Sequence, residues 1–300
     1  MSDNMTSIEE VNDSMEETQI EHEFEIEEDS SPKKENSSSE RIMHVLITGA
    51  SSGIGRELAK IFAKNGYNVL IVARRKDLLI ELKEEITSRF NVDVNIIVSD
   101  LSRPAMANKV YEGVKTLGIR LDVLVNNAGF GEYGNFKDAS LERTEDMINL
   151  NILALTKLTR LFMNDIIESK GAILNVASTA AFMPGPLMSV YFATKSYVLS
   201  FSEAIAEELK DDGVTVTALC PGPTISGFQE AANLKGVKFV EGKNIPTSKE
   251  VAEYGYNALI REKRVAIYGA SNKLMAHAVK FIPRKTVAKM VKNFQKKKDD

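Results

Sequence analysis

Residues Ile42 to Gly55 read I-M-H-V-L-I-T-G-A-S-S-G-I-G. From Ile42 to Ile47 the run is apolar apart from His44 and carries the β-branched residues of a buried parallel strand. A glycine-rich turn follows, and then apolar residues at helical spacing, Leu58, Ile61 and Phe62, up to Gly66. Strand, glycine loop and helix in this order are the context that a dinucleotide fingerprint requires. Gly49 permits the tight turn, Gly53 lets backbone approach a pyrophosphate, and Gly55 lets the helix pack closely on the strand. The phosphates would rest on the free N–H groups and the dipole of the helix N-terminus. The candidate cofactor contacts here are Thr48, Gly49, Ser51, Ser52, Gly53, Ile54 and Gly55.

Downstream, strand and helix patterns alternate. Asn68–Ala73 reads as the second strand, Leu78–Phe90 as a helix with Asp77 as its cap, Val94–Ser99 as the third strand and Leu121–Val125 as the fourth. Met147–Met163 reads as one helix, Ala172–Ala177 as a buried strand, Val214–Leu219 as the sixth strand, Ser248–Arg261 as a helix and Val265–Tyr268 as the seventh strand. Such alternation predicts one doubly wound, Rossmann-like α/β domain, a parallel sheet of about seven strands with helices on both faces. Ligands then bind beyond the carboxyl ends of the strands. The end of the second strand bears on cofactor choice. A carboxylate there would bind a ribose 2′-hydroxyl, but the chain has Ala73-Arg74-Arg75-Lys76. Guanidinium suits a 2′-phosphate, so NADP (NADPH) is expected over NAD, with Arg74 as the main reader and Arg75 and Lys76 open to a solvated role.

Tyr191 and Lys195 stand four residues apart and leave one face of a helix. A free phenol has a pKa of about 10. A neighbouring ammonium is expected to lower that value and make Tyr191 a usable proton donor or acceptor. The spacing alone is weak, because Tyr-x-x-x-Lys also occurs at Tyr111/Lys115 and Tyr133/Lys137. Context separates them. Only Tyr191 has a serine thirteen residues earlier, Ser178, and that serine has Asn151 twenty-seven residues earlier within a helical pattern.

With these spacings and the spelling T-G-A-S-S-G-I-G, the chain resembles the short-chain dehydrogenase/reductase family over roughly residues 43–271. Asn126-Asn127-Ala128-Gly129 after the fourth strand and Pro221-Gly222 after the sixth are further matches. The resemblance implies hydride transfer between a nicotinamide and a carbonyl or alcohol, with Asn151, Ser178, Tyr191 and Lys195 as catalytic residues. It implies that Tyr191 handles the hydroxyl proton, Ser178 hydrogen-bonds the substrate oxygen, Lys195 binds the nicotinamide ribose and Asn151 holds a relay water. A purely structural role for the Asn151 amide is the alternative. It also implies cofactor contacts from Asp100, Leu101, Asn127, Ala128, Gly129, Pro221, Gly222 and Thr224, and Asp100 fits equally a cap for the helix after Ser102. Some family members carry a basic residue just before the second glycine, where this chain has Ser52. A variable substrate lid is expected over about residues 225–246, which include Leu234, Val237 and Phe239. Phe130, Tyr133, Phe182, Met183, Leu187, Met188, Phe228 and Phe239 are candidate lining residues, either for a hydrophobic substrate or as core. The family also suggests a homo-oligomer, a dimer or tetramer, paired through Leu155, Leu158, Leu161, Val198, Phe201 and Ile205.

The 300 residues carry a net charge of −4 that is unevenly spread. Residues 1–40 hold fourteen acidic residues against Lys33 and Lys34 and are expected to form a disordered acidic tail, or else an acidic interaction segment. The dehydrogenase domain is expected over 41–272. Residues 273–300 hold nine Lys or Arg among apolar residues and read as two amphipathic helices divided by Pro283. They are expected to pack on the domain or a sister subunit, the alternative being weak peripheral contact with an anionic membrane. The single Cys220 allows no internal disulfide, which points to a reducing, cytoplasmic setting. No apolar run is long enough to span a membrane, and the acidic start is unlike a secretory signal. His22, His44 and His277 have no metal-ligand spacing, and neither a metal nor nucleic acid is expected. Two other function classes remain beside the oxidoreductase: a cofactor-binding regulator without turnover, and a membrane- or partner-docking protein acting through its tails.

Overall fold

Eight strands form one sheet among the residues described, which are 24–27, 41–228, 232 and 245–296 of a computed structural model. The strands are β1 (Phe24–Glu27), β2 (His44–Thr48), β3 (Asn68–Ala73), β4 (Val94–Ser99), β5 (Val123–Asn126), β6 (Ala172–Val176), β7 (Thr215–Cys220) and β8 (Val265–Ile267). Their order is β1-β4-β3-β2-β5-β6-β7-β8. The seven strands from β2 to β8 run parallel, as in β2 against both β3 and β5. The order turns back between β2 and β5, so the loops after these two strands open onto the switch point, where doubly wound sheets bind their ligands.

Helices cover both faces. One face carries α1 (Gly53–Lys64), α2 (Lys76–Thr87) and α8 (Ser248–Ile260), packed against Val45, Ile47, Val69 and Ile71. The other carries α3 (Met106–Thr116), α5 (Leu155–Leu161), α6 (Met163–Ser169) and α7 (Ser189–Glu208), packed against Leu46, Leu70 and Val72. Alternate residues of one strand thus feed two cores, which explains why β2 and β3 are apolar nearly throughout. A further helix, α4 (Leu141–Ile148), leads into a π-helical turn at Asn149–Ala154. The helix expected over 147–163 is therefore broken into α4, the π turn, α5 and α6. Lys76 already belongs to α2, whose N-cap is Arg75, so Asp77 lies in the first helical turn and does not cap it.

The largest correction concerns the tail. Phe24–Glu27 lies inside the segment expected to be disordered, yet it forms an eighth strand, antiparallel to β4. Phe24 and Ile26 pack into the second core. Lys76 holds Glu25 at 2.6 Å and Glu27 at 2.7 Å. Gly113 on α3 leaves the room, since a Cβ there would lie 2.1 Å from Ile26 Cδ1. The other residues before Arg41 lie outside those described.

The C-terminal extension folds into α9 (Ala270–Ala278) and α10 (Arg284–Gln295), separated by Pro283. Most of the expected lid, residues 229–231 and 233–244 with Leu234, Val237 and Phe239, lies outside the described residues.

Candidate active site

The carboxyl ends of β2 to β7 open on a cavity of about 1100 Å³. Its cofactor side begins at the glycine loop. Gly49 and Gly53 adopt φ of 68° and 60°, in the left-handed region that favours glycine. A Cβ on Gly55 would sit 2.5 Å from the Gly49 carbonyl oxygen, so α1 closes on the loop only because residue 55 has none. Ser52 caps α1 without a side-chain hydrogen bond, and the first turn holds no acidic residue. The helix N-terminus is therefore open to an anion.

Thr48 and Asn127 fasten this loop to the end of β5. Thr48 Oγ1 accepts from the backbone N–H groups of Asn127 and Ala128, both at 3.0 Å. Asn127 Nδ2 donates to the carbonyls of Thr48 (2.9 Å) and Gly49 (3.2 Å). Thr48, Gly55 and Asn151 do not line the cavity and act from behind it. Every other sequence-predicted site residue lines it: Gly49, Ser51, Ser52, Gly53, Ile54, Arg74, Asp100, Leu101, Asn127, Ala128, Gly129, Ser178, Tyr191, Lys195, Pro221, Gly222 and Thr224.

The basic residues after β3 divide their work. Arg74 is 65% exposed along its side chain, with Asp100 at 3.5 Å. Arg75, which the sequence leaves open as a solvated residue, donates to the hydroxyls of Ser51 (3.1 Å) and Ser52 (3.0 Å). A cation thus reaches the position before Gly53 from the neighbouring strand. Asp100 accepts from the N–H (3.0 Å) and the hydroxyl (2.9 Å) of Ser102 and lines the cavity, but it does not cap the next helix, which starts at Met106 with Ala105 as its N-cap.

Opposite the glycine loop, β6 delivers Ser178 and α7 delivers Tyr191 and Lys195. Ser178 caps a 3₁₀ turn at Thr179–Phe182, accepting from Ala180 N at 3.1 Å, and its hydroxyl donates to the Pro221 carbonyl at 3.4 Å. Lys195 Nζ donates to the Val176 carbonyl at 2.7 Å and lies 5.9 Å from the Tyr191 ring centroid. Burial pushes the Tyr191 phenol up to about 12, with the Ser178 hydroxyl acting downward. Burial also pulls the Lys195 ammonium down to about 8, with Cys220 acting upward. The net shift of the phenol is therefore upward and not downward, because its own desolvation dominates.

Asn151 is 1% exposed and sits on the π turn, a feature often found at functional sites. Its Nδ2 donates to the Phe130 carbonyl (2.9 Å) and to Thr194 Oγ1 (3.0 Å), and its Oδ1 accepts from Phe130 N (3.1 Å). The amide thus clamps the chain just past Gly129. The other two Tyr-x-x-x-Lys copies are engaged elsewhere. Lys115 pairs with Asp165 at 2.5 Å, and the Tyr133 hydroxyl donates to the Gln295 carbonyl at 2.8 Å.

The part of the cavity away from the glycine loop is apolar. Of the candidate lining residues, Phe130, Met183, Met188 and Phe228 face the cavity, whereas Tyr133, Phe182 and Leu187 do not. Phe239 lies outside the described residues. The unforeseen wall comes from the C-terminal extension, through Met275, Val279, Val287, Met290, Val291 and Phe294. Gln295 joins them, 3% exposed, with Oε1 buried and unpartnered. The amphipathic pattern around Pro283 announced helices but not the surface they would cover. Four residues proposed for subunit pairing, Leu155, Leu158, Val198 and Ile205, are buried in the chain's own core. Among the described residues no cluster suits a metal ion, and no helix is long and apolar enough to cross a membrane.

A glycine loop at the switch point of a doubly wound parallel sheet defines a Rossmann-like dinucleotide-binding fold. The chain belongs to the short chain dehydrogenase family, which it matches over residues 43–235. It is 36% identical to the very-long-chain 3-oxoacyl-CoA reductase of Rattus norvegicus over 181 residues, covering 59% of this chain and 57% of that protein. The match thus spans little more than half the length of that relative. It is 30% identical to the 7beta-hydroxysteroid dehydrogenase of Mediterraneibacter gnavus, over 77% of this chain and 88% of that one. A short-chain dehydrogenase from Sphingobium yanoikuyae, solved in complex with NADPH, superposes with a TM-score of 0.72 at 32% identity, covering 80% of this chain and 94% of that one.

Proposed function

We propose that this protein reduces the carbonyl of a hydrophobic ketone or aldehyde with NADPH. The observation that carries the reading is convergence: Ser178, Tyr191 and Lys195 open on the same cavity as the glycine loop and Arg75. When bound, NADPH supplies a hydride to the carbonyl carbon. The chain's own residues do the rest. The α1 N-terminus and Arg75 hold phosphate groups. Ser178 donates a hydrogen bond to the substrate oxygen and opposes the build-up of negative charge there. Tyr191 gives its hydroxyl proton to that oxygen, so hydride and proton together complete the alcohol. At neutral pH the raised phenol pKa keeps this proton in place. Lys195, charged below pH 8, stabilises the phenolate left behind. Asn151 keeps Phe130 and Gly129 in register beside Lys195.

The NADPH complex of the Sphingobium yanoikuyae protein supports the cofactor, and the apolar wall supports a hydrophobic substrate. The reading places the protein in a reducing compartment such as the cytoplasm, on its single buried Cys220. A panel of ketones and aldehydes, read by NADPH oxidation, tests it. Tyr191→Phe is expected to keep cofactor binding and lower turnover about 10²–10⁴-fold. Tyr111→Phe, as a control, should stay within a few-fold of the parent. A Tyr191→Phe protein as active as that control would remove Tyr191 from the mechanism.

A further inference from the structure

The outer side of the helices that wall the cavity has a composition unlike the rest of the chain. From Lys263 to Lys296 there is no carboxylate, against nine Lys or Arg. All nine are exposed, and seven of them, Lys273, Lys280, Arg284, Lys285, Lys289, Lys292 and Lys296, lie on or beside α9 and α10. None of the seven has a carboxylate partner among the described residues. Large apolar side chains stand exposed among them: Phe281 at 89%, Leu274 at 73%, Phe294 at 69% and Met290 at 56%. On α10 the buried residues Val287 and Gln295, with half-buried Val291, form one stripe at four-residue spacing, while Lys285, Lys289 and Lys292 form another on the far side. Met290 and Phe294 lie between the stripes, and both are exposed and line the cavity. The apolar lining of the cavity therefore continues outward over its rim into an exposed apolar surface ringed by cations.

We propose that α9 and α10 dock on an anionic lipid bilayer, with Phe281 and Leu274 entering the interface, and that the cavity receives its substrate through this docked rim. Charge decides the occupant. Cations with no carboxylate partner among the described residues suit an anionic surface, and exposed aromatic and aliphatic side chains between them suit the acyl boundary. A protein partner of acidic character would satisfy the lysines but gives no reason for the apolar rim to be continuous with the cavity. Docking stands on the surface alone. Substrate delivery rests on the reductase reading.

The experiment separates the two. The full chain is mixed with phosphatidylcholine vesicles, with or without about one third phosphatidylserine, and sedimented. Binding is expected to the anionic vesicles only, and most of it should be lost near 1 M salt, where the Debye length falls to about 3 Å. The triple variant Lys285→Gln, Lys289→Gln, Lys292→Gln should bind about a hundredfold more weakly, taking roughly one kcal/mol for each charge. Phe281→Ser should also weaken binding, about tenfold or more. Circular dichroism confirms that each variant is folded, as expected for exposed positions. Equal binding to both vesicle types, no binding to either, or a triple variant that binds like the parent overturns docking. Loss with the lysine variant but not with Phe281→Ser overturns insertion and leaves an electrostatic contact of the kind an acidic protein would also make. For delivery, hexadecanal reduction is compared in anionic and neutral vesicles. Delivery predicts a gain of severalfold in the anionic vesicles that the triple variant loses. Turnover that is equal in both, from a chain that binds only one, overturns delivery while docking and the reductase reading stand. No turnover of any carbonyl, with docking intact, overturns the reductase reading and with it delivery.

Discussion

The two sides of the cavity are built by different means. The cofactor side is backbone and short loops at strand ends, drawn together until a single methyl group does not fit. Gly49, Gly55, Thr48 and Asn127 are in mutual contact there, and Thr48 alone accepts from two successive N–H groups. The proposed substrate side is helix surface. Side chains of α9 and α10 form its wall, and the hydrogen bond from Tyr133 to the Gln295 carbonyl ties the end of α10 to the loop before α4. A group common to many reactions is gripped by geometry that tolerates almost no change. The proposed substrate would meet soft apolar side chains of the C-terminal helices, which lie outside the sheet.

That contrast predicts unequal damage from small substitutions. Gly55→Ala would place a methyl 2.5 Å from both the Gly49 carbonyl and Asn127 Nδ2. It is expected to cost roughly 3 kcal/mol, lower the melting temperature by about 6–12 °C and abolish measurable NADPH binding. Val287→Ala, on the substrate side, removes two methyl groups from a buried position, at about 1–2 kcal/mol. It should raise KM for substrate and leave cofactor affinity unchanged. If Val287→Ala weakened cofactor as much as Gly55→Ala does, the two sides would be one mechanical unit.

The arginines sharpen the cofactor side further. Arg75 is held on Ser51 and Ser52, whereas Arg74 lies mostly in solvent near Asp100. A charge-assisted contact to the 2′-phosphate from this partly exposed position is worth about 1.4 kcal/mol, or tenfold. Arg75→Ala should therefore weaken NADPH about tenfold and NADH scarcely, with Arg74→Ala a smaller effect. Titration calorimetry with both cofactors decides between them. A larger loss at Arg74 would return phosphate reading to the residue that the strand-end position favours.

How much of this was legible in the sequence depends on where each determinant lies. The unit from β2 to α1 is written within Ile42–Gly66, because turn, cap and helix packing are all local, and Ser178 and Asn151 at their offsets set Tyr191 apart from the other two Tyr-x-x-x-Lys copies. Arg75 was not legible as a loop contact, since its hydroxyl partners lie on the previous strand–helix connection. Phe24–Glu27 carries a short alternation, apolar at Phe24 and Ile26 and acidic at Glu23, Glu25 and Glu27, but the surrounding acidic composition hides it. What makes it a strand is distant: the cation of Lys76 and the gap left by Gly113. The wall formed by α10 follows the same rule. Its amphipathic face was visible, but only tertiary contact shows that the face closes a site.

The smallest expected effect concerns the point where both sides meet. Lys195 has a folded pKa of about 8 against 10.5 in the open chain. Above pH 8 the folded protein has lost this proton while the unfolded chain still holds it, so stability rises with pH. The window is narrow. Cys220, raised by burial from 9.0 to about 12, keeps its proton in the folded state and acts oppositely above pH 9. Tyr191, raised from 10.0 to about 12, does the same above pH 10. Between pH 8 and 9, then, Lys195 should add about 1 kcal/mol of stability, a gain that Lys195→Met abolishes. Turnover should move the other way and fall roughly tenfold by pH 9, because the uncharged amine no longer stabilises the phenolate. Urea melts and NADPH oxidation rates over the same buffers check both signs at once. If stability and turnover rise or fall together across this window, Lys195 is not the group that titrates.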